Sequence, residues 1–397
     1  MSTSSVPRPG SAAQLGPAHP PALRRTPSGP ARALALFTAV RLAGVAAVVA
    51  ANHVTGRPLV RDLAHAWDAR WYQHIAAHGY GHLIEITRQG AVQTDWAFFP
   101  LYPGLVRALT TVLPLTPGQA AFLVAATAAV VAARGIHRIG DHLYGGAVAT
   151  ALVVLWAVLP QSVELTIGYT ESLFSALAAW SLYCVLKGRW LWAGSLAALA
   201  GLSRPSGFAV AAAVVVAGGY EAVRRRGRVP VGLWAGCLLA PLGWLGYVLW
   251  VGQRTGDLLG GYFEVQRAWS SRFDFGAGSL RFLKGLLLHG GAFVYTVDLA
   301  IVAVGVLLFC LLCLDRAPLV LVVFAGVLVL VVVGGSGDFS SKPRFLLPAF
   351  PLLIPPARAL VRSRRARPAH AVLVVGALTA VSLLFGAYVM TVARSPL

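Results

Sequence analysis

Runs of about 20 apolar residues recur along almost the whole of this 397-residue chain, and no other feature limits its fold so tightly. Inside hydrocarbon every backbone N–H and C=O must be satisfied within the protein, so only helices and closed barrels can span it. Barrel strands would alternate polar and apolar residues over segments of about ten, whereas these runs are uniformly Ala, Val and Leu. Charged residues make up 12% of the chain, about half the usual share. The expected fold class is an all-α polytopic membrane protein.

A net charge of +19, from 33 Lys and Arg against 14 Asp and Glu, would suit a nucleic-acid binder if it formed one face. Instead the cations fall in short blocks between apolar runs, as in cytoplasmic loops, so no nucleic-acid partner is expected. Residues 1–32, rich in Pro, Ser, Gly and Ala, cannot bury a core and are expected to be a disordered basic cytoplasmic tail. Ala33–Ala51 follows as a retained signal-anchor. Further runs at 119–133, 145–159, 173–186, 190–202, 208–219, 233–251, 292–314, 319–333, 346–360 and 371–392 bring the total to about 11 transmembrane helices in one unit, 33–393.

The two long outer loops are then 52–118 and 252–290. Phe98–Leu113, short and interrupted by Pro100 and Pro103, is expected to lie in the outer interface or to dip partway in. As a full span it would move every later basic cluster to the wrong side; as drawn, the clusters at 24–41, 134–138, 187–189, 224–228, 316 and 358–367 are all cytoplasmic. The cysteines Cys184, Cys237, Cys310 and Cys313 lie in apolar runs and are expected to be small buried hydrophobes, without a disulfide or zinc pattern.

The same topology sorts the acids. Ten of the 14 (Asp62, Asp68, Glu85, Asp95, Glu164, Glu171, Asp257, Glu264, Asp274 and Asp338) fall in outer loops or at outer span ends. Acids next to hydrocarbon are costly and tend to mark function, so the outer face is expected to be the working face. The first outer loop sets Asp68 among Trp67, Trp71, Tyr72, Asp95 and other aromatics. Aromatics anchor helices at the lipid boundary, but a carboxylate among them suits a general base taking a proton from an incoming hydroxyl. The alternative for Asp68 is an N-cap for a helix starting at Ala69.

His74, His78 and His82 share a helical spacing compatible with metal ligation, but Gly79 and Gly81 should end the helix before His82 joins the row. In SRPSG, Arg204 sits in a turn between two short apolar runs, hence within membrane depth and beside a polar cavity. Lys342 and Arg344 stand at the outer start of a later span, where cations are depleted by the orientation rule. An anionic ligand, most simply a phosphate, accounts for all three. In YTES, Tyr169 and Glu171 top another span, with Glu171 free to bind substrate hydroxyls or to pair with Arg204 or Arg344.

Taken in order, WDARWYQHIAAHGY, AFFPLYP, YTESLF, SRPSG and KPRFLLPAFPLL resemble the motifs of the PIG-V-like mannosyltransferases, the family of the GPI second mannosyltransferase within the GT-C glycosyltransferase superfamily. The resemblance covers about residues 33–393. It implies a GT-C-like transmembrane catalytic domain with a long helical first extracytoplasmic loop, taking mannose from a polyprenyl-phosphate donor on the non-cytoplasmic side. Asp68, preceded by Trp67, matches the acidic residue of that loop; Phe99, Pro100, Tyr102 and Pro103 match the proline-aromatic segment. Tyr169 and Glu171 match the later outer motif, Arg204 and Pro205 the arginine-proline turn, and Arg344 the final basic motif. The superfamily often carries a D-x-D or E-x-D pair in the first loop; here Asp68 has no close acidic neighbour, which favours a mechanism without a metal or other cofactor.

The expected catalytic residue is therefore Asp68. Trp67, Trp71, Tyr72, Asp95, Tyr102, Tyr169 and Glu171 are expected to contact substrate, and Arg204, Lys342 and Arg344 to hold phosphate. The expected partners are the lipid-linked sugar donor, a lipid, glycan or protein acceptor, and membrane lipids. The rival class is a secondary transporter of an anionic or sugar substrate, which broken spans and buried charge also suit. An arginine-heavy composition, with Lys187, Lys284 and Lys342 the only lysines, points to a GC-rich bacterial coding sequence and so to a bacterial plasma membrane protein with its N-terminus inside.

Overall fold

The computed structural model describes residues 29–56, 67–87 and 90–393. Residues 1–28 of the expected tail and the loop acid Asp62 lie outside the described residues. In chain order the helices are α1 (Gly29–Thr55), α2 (Ala69–His78), α3 (Leu101–Val112), α4 (Pro117–Tyr144), α5 (Gly146–Ala157), α6 (Glu171–Leu186), α7 (Trp190–Gly201), α8 (Phe208–Arg224), α9 (Val231–Leu239) and α10 (Leu242–Thr255). They continue with α11 (Gly261–Ala268), α12 (Ala277–His289), α13 (Phe293–Leu314), α14 (Leu319–Gly334), α15 (Lys342–Leu346), α16 (Ile354–Ala366) and α17 (Pro368–Tyr388). An antiparallel hairpin, β1 (Ile84–Ile86) with β2 (Val92–Thr94), interrupts the first long loop, in register Ile84 with Thr94.

Each expected apolar run becomes a helical element of an integral membrane protein. Among the described residues six segments are long and apolar enough to cross a bilayer, eight if each of two bent pairs counts as one span. The remaining three runs are the shorter apolar helices α6, α7 and α14. Helix α3, with 12 residues, is about 18 Å long and too short to span, as expected of an interfacial helix.

Several boundaries differ from the expected ones: 208–219 runs on to Arg224, 233–251 is split at Pro241 into α9 and α10, and α1 and α4 are also longer than expected. Helix α1 begins at Gly29, inside the expected tail. Helix α4 begins at Pro117, where Thr116 and Gln119 form a reciprocal capping box and the proline occupies a position whose N–H would have no helical partner. It then runs through the basic stretch 134–140, expected to be a loop, and stops at Gly145, whose φ of +84° ends the helix. Arg41, grouped by sequence with the cytoplasmic tail, lies within α1 and is buried. Among the cysteines, Cys310 and Cys313 sit on the exposed apolar face of α13, not inside the protein.

Two of the expected spans are broken. Helix α5 bends by 85° into a 3-10 turn over Pro160–Thr166, and the Phe339–Leu346 segment bends by 71° into the Phe350–Ala366 segment. Proline at these breaks removes backbone donors, and the carbonyls left without helical partners must be met by the protein. Arg41 donates to the carbonyls of Ala157 and Ser162 at the first break. Trp156 donates through Nε1 to the carbonyl of Leu347 at the second, 2.9 Å away. Elsewhere the helices approach closely over glycine: a Cβ on Gly194 of α7 would lie 2.2 Å from the Gly236 carbonyl oxygen of α9.

Basic turns gather at one end of the bundle, where Arg358 pairs with Asp315 at 2.6 Å and lies over the Tyr144 ring. Helix α6 ends there at Lys187. Its other end, at Glu171, carries the ion cluster described next.

Candidate active site

Four chain segments far apart in sequence bring a buried ion cluster together. Asp68 stands just before α2, in the position of its N-cap, yet its side chain makes no capping hydrogen bond. The carboxylate instead meets Arg344 of α15, Oδ2 to Nη1 at 2.9 Å. Arg344 also reaches Glu171 at the start of α6, Nε to Oε1 at 3.9 Å. The same Glu171 oxygen lies 2.8 Å from Nη1 of Arg204, in the turn before α8. Both members of that last pair are almost wholly buried, at 4% and 2% side-chain exposure, while Asp68 is 22% exposed. Asp68 therefore forms the accessible edge of the cluster.

Local backbone and aromatic faces hold this geometry. The Asp68 N–H donates to the Tyr169 hydroxyl at 2.9 Å, and Trp67 stacks on Tyr169 with ring centroids 6.5 Å apart. Trp67 adopts φ of +44°, left-handed backbone that a non-glycine residue occupies at a cost of about 1–3 kcal/mol. Such a conformation persists only where its surroundings impose it. Arg344 lies over the rings of Tyr169 and Phe345, and Arg204 over those of Phe174 and Phe345. These aromatic faces stabilise guanidinium groups that have lost their water.

The residues expected at the site divide three ways. Asp68, Trp67, Tyr169, Glu171, Arg204 and Arg344 are brought together. Tyr72 borders them, its phenol pushed up by burial and by the neighbouring charges of Asp68 and Glu171. Trp71 and Tyr102 serve packing: Trp71 is buried against Phe98 and Trp269, and Tyr102 donates to the Ala121 carbonyl at 2.8 Å. Asp95 is fully buried and accepts the N–H groups of Gly81, His82 and Leu83, so its carboxylate organises the loop instead of facing the cluster. Lys342 turns away from Asp68, donating to Ser279 Oγ and to the carbonyls of Val332 and Gly335.

One participant was missed. Glu164, in the 3-10 turn of the first broken span, is fully buried, and neither carboxylate oxygen has a hydrogen-bond partner. It stands within electrostatic reach of Glu171, Arg344 and Arg204. Its signal in the sequence is an acid flanked by apolar residues in PQSVELTIGYTES. Among the histidines, Gly79 with φ of +84° ends α2, so His82 does not join His74 and His78, whose rings are 4.6 Å apart. Among the described residues no group of three or more His, Cys, Asp or Glu gathers as metal ligands would.

No family model and no curated protein matches the chain. Two solved structures of the Archaeoglobus fulgidus oligosaccharyltransferase share its fold. With AglB in complex with an inhibitory peptide and a dolichol-phosphate, the identity is 14% and the TM-score 0.50, over 91% of this chain and 56% of that one. With the complex with Zn and sulfate, the identity is again 14% and the TM-score 0.50, over 90% of this chain and 53% of that one. The chain thus spans little more than half the length of those proteins, and the likeness is one of fold: the helices follow a GT-C-like arrangement.

Proposed function

We propose that the chain is an inverting glycosyltransferase that moves a hexose from a polyprenyl-phosphate donor to an acceptor hydroxyl at the extracytoplasmic membrane surface. The motif resemblance to PIG-V-like enzymes makes mannose the expected hexose. The observation that carries this reading is the ion cluster of Asp68, Arg344, Glu171 and Arg204, set at the end of the bundle away from the basic turns. The GT-C-like fold supports it, as does the presence of a dolichol-phosphate in one of the related structures.

In this reading Arg344 has two occupations. Without substrate it holds Asp68; when a donor phosphate arrives, the guanidinium turns to the phosphate and frees the carboxylate, with Arg204 adding charge from behind. The acceptor oxygen then attacks the anomeric carbon from the face opposite the phosphate. Its proton passes to Asp68, the bond from the anomeric carbon to the phosphate oxygen breaks, and the electron pair leaves with the polyprenyl phosphate. Trp67, held against the buried Tyr169, offers a flat face for the sugar, and the arginines supply the positive charge without a metal. The acceptor is a lipid, glycan or protein hydroxyl.

The test is transfer of label from polyprenyl-phosphate mannose in proteoliposomes with membrane extract as acceptor. Asp68→Asn should lower transfer at least about a hundredfold, the scale of a lost general base, while leaving the protein inserted and monodisperse. Retention of most activity by this variant removes Asp68 as the base. Uptake of the sugar without transfer favours a transporter instead.

A further inference from the structure

A second charged site lies apart from the Asp68 cluster, between the loop before α12 and the turn before α15. It is a cavity of about 420 Å³ lined by Arg267, Arg272, Arg281 and Lys342, with the hydroxyls of Ser279 and Ser336 on its walls. That volume falls within the ~300–1,000 Å³ of small-molecule sites. The walls are built: Phe273 bridges to Gly335, and the Arg272 carbonyl accepts the Ser336 N–H at 2.7 Å.

The charges are out of balance. Lys342 is 4% exposed and gives its protons to neutral oxygens, Ser279 Oγ at 2.6 Å and the carbonyls of Val332 and Gly335 at 2.7 Å each. Among the described residues it has no carboxylate partner, and neither does Arg272. Asp274 pairs with Arg281 at 3.6 Å and lies within electrostatic reach of Lys342, but its oxygens already accept the N–H groups of Gly276 and Gly278. Arg267 pairs with Glu264. Four cations around the cavity set against Asp274 and Glu264 leave positive charge over, which an anion in the cavity offsets. Planar guanidinium forks match the oxygens of a phosphate, whose charge of up to two offsets more of this surplus than a single carboxylate does.

We propose that this pocket binds a phosphate ester, separately from the Asp68 cluster. Arg272 and Arg281 grip the phosphate oxygens and Lys342 supplies charge from the wall, while Ser279 and Ser336, whose hydroxyls donate to the carbonyls of Val333 and of Ser270 and Arg272, shape it. Phosphate esters reach such a site from a prenyl-phosphate carrier or from a phospholipid headgroup, and inorganic phosphate carries the same oxygens. The site stands whether or not Asp68 transfers sugar, and its test reads binding alone, so the two can fail separately.

The test compares the full chain with the double variant Arg272→Ala/Arg281→Ala in phosphatidylcholine nanodiscs, titrated with farnesyl phosphate, phosphatidylglycerol or inorganic phosphate. Lys342 is left intact, because its bonds to Val332 and Gly335 hold the wall. The native chain should show a saturable component for at least one probe that the double variant weakens about a hundredfold, roughly tenfold for each guanidinium removed, while any farnesyl phosphate held at Arg344 persists in both chains. The tightest probe identifies the source: farnesyl phosphate a carrier lipid, phosphatidylglycerol the bilayer, inorganic phosphate a soluble anion. Absence of saturable binding for all three, or equal binding by the double variant, overturns the proposal.

Discussion

Replacing Glu171 by Gln tests whether the cluster is a set of coupled buried charges or a coincidence of long side chains. The carboxylate faces Arg204 at 2.8 Å and Arg344 at 3.9 Å, and with Arg204 it is almost free of solvent. At an effective dielectric of about 20, two unit charges about 4 Å apart interact by about 4 kcal/mol. Removing one partner of such a pair costs roughly 3–5 kcal/mol, because the other stays buried and unpaired. An unfolding entropy of about 2 cal/mol/K per residue gives about 0.8 kcal/mol/K for a chain of this length. The expected loss is therefore about 4–6 °C in Tm.

The informative comparison is with Arg204→Met and with the double variant. Arg204→Met alone leaves Glu171 with Arg344 only, whereas the double variant removes a charge of each sign and leaves Arg344 with Asp68. The double variant should recover a large part of the loss, a coupling of at least about 2 kcal/mol. Thermal unfolding in detergent, followed by tryptophan fluorescence, measures all four proteins. A shift below about 1 °C for Glu171→Gln, or strictly additive single variants, refutes the coupled-pair account.

Two more substitutions probe the supports of the site and of the bundle. Tyr169→Phe deletes the hydroxyl that accepts the Asp68 N–H at 2.9 Å; a lost hydrogen bond of this kind costs about 1–3 kcal/mol, so transfer should fall about tenfold with the protein still monodisperse, and unchanged transfer would separate Tyr169 from Asp68. Gly236→Leu places a Cβ 2.2 Å from the Trp190 carbonyl oxygen, which is backbone and cannot swing aside; size-exclusion profiles should show aggregated protein or a sharply lowered yield, and a native profile would mean that α7 and α9 are not in that contact.

Much of the site was legible before any coordinates. Asp68, Glu171, Arg204 and Arg344 stand out because charge beside apolar runs is expensive and needs a reason, and these four do meet. Asp95, expected to contact substrate, is like Asp68 an acid among aromatics in the same loop. What separates them is where backbone N–H groups converge: three point at Asp95 and none caps on Asp68. Glu164 was passed over because a broken span cannot be told from a straight one by hydropathy; the break buries it beside the arginines.

The sequence by itself determined the helices and the separation of basic turns from the acid-bearing end, but not every helix end: α4 runs through the basic stretch 134–140 as far as Tyr144. A bilayer obliges each apolar run to satisfy its own backbone, and that is a local requirement. Only the tertiary structure decided which charge meets which. Lys342 and Arg344 are two residues apart in one short helix, about 200° around its axis, so one joins Asp68 and the other lines a different cavity. Direction around a helix acquires meaning only when neighbouring helices are packed against it, and that packing is set by contacts between residues distant in the chain.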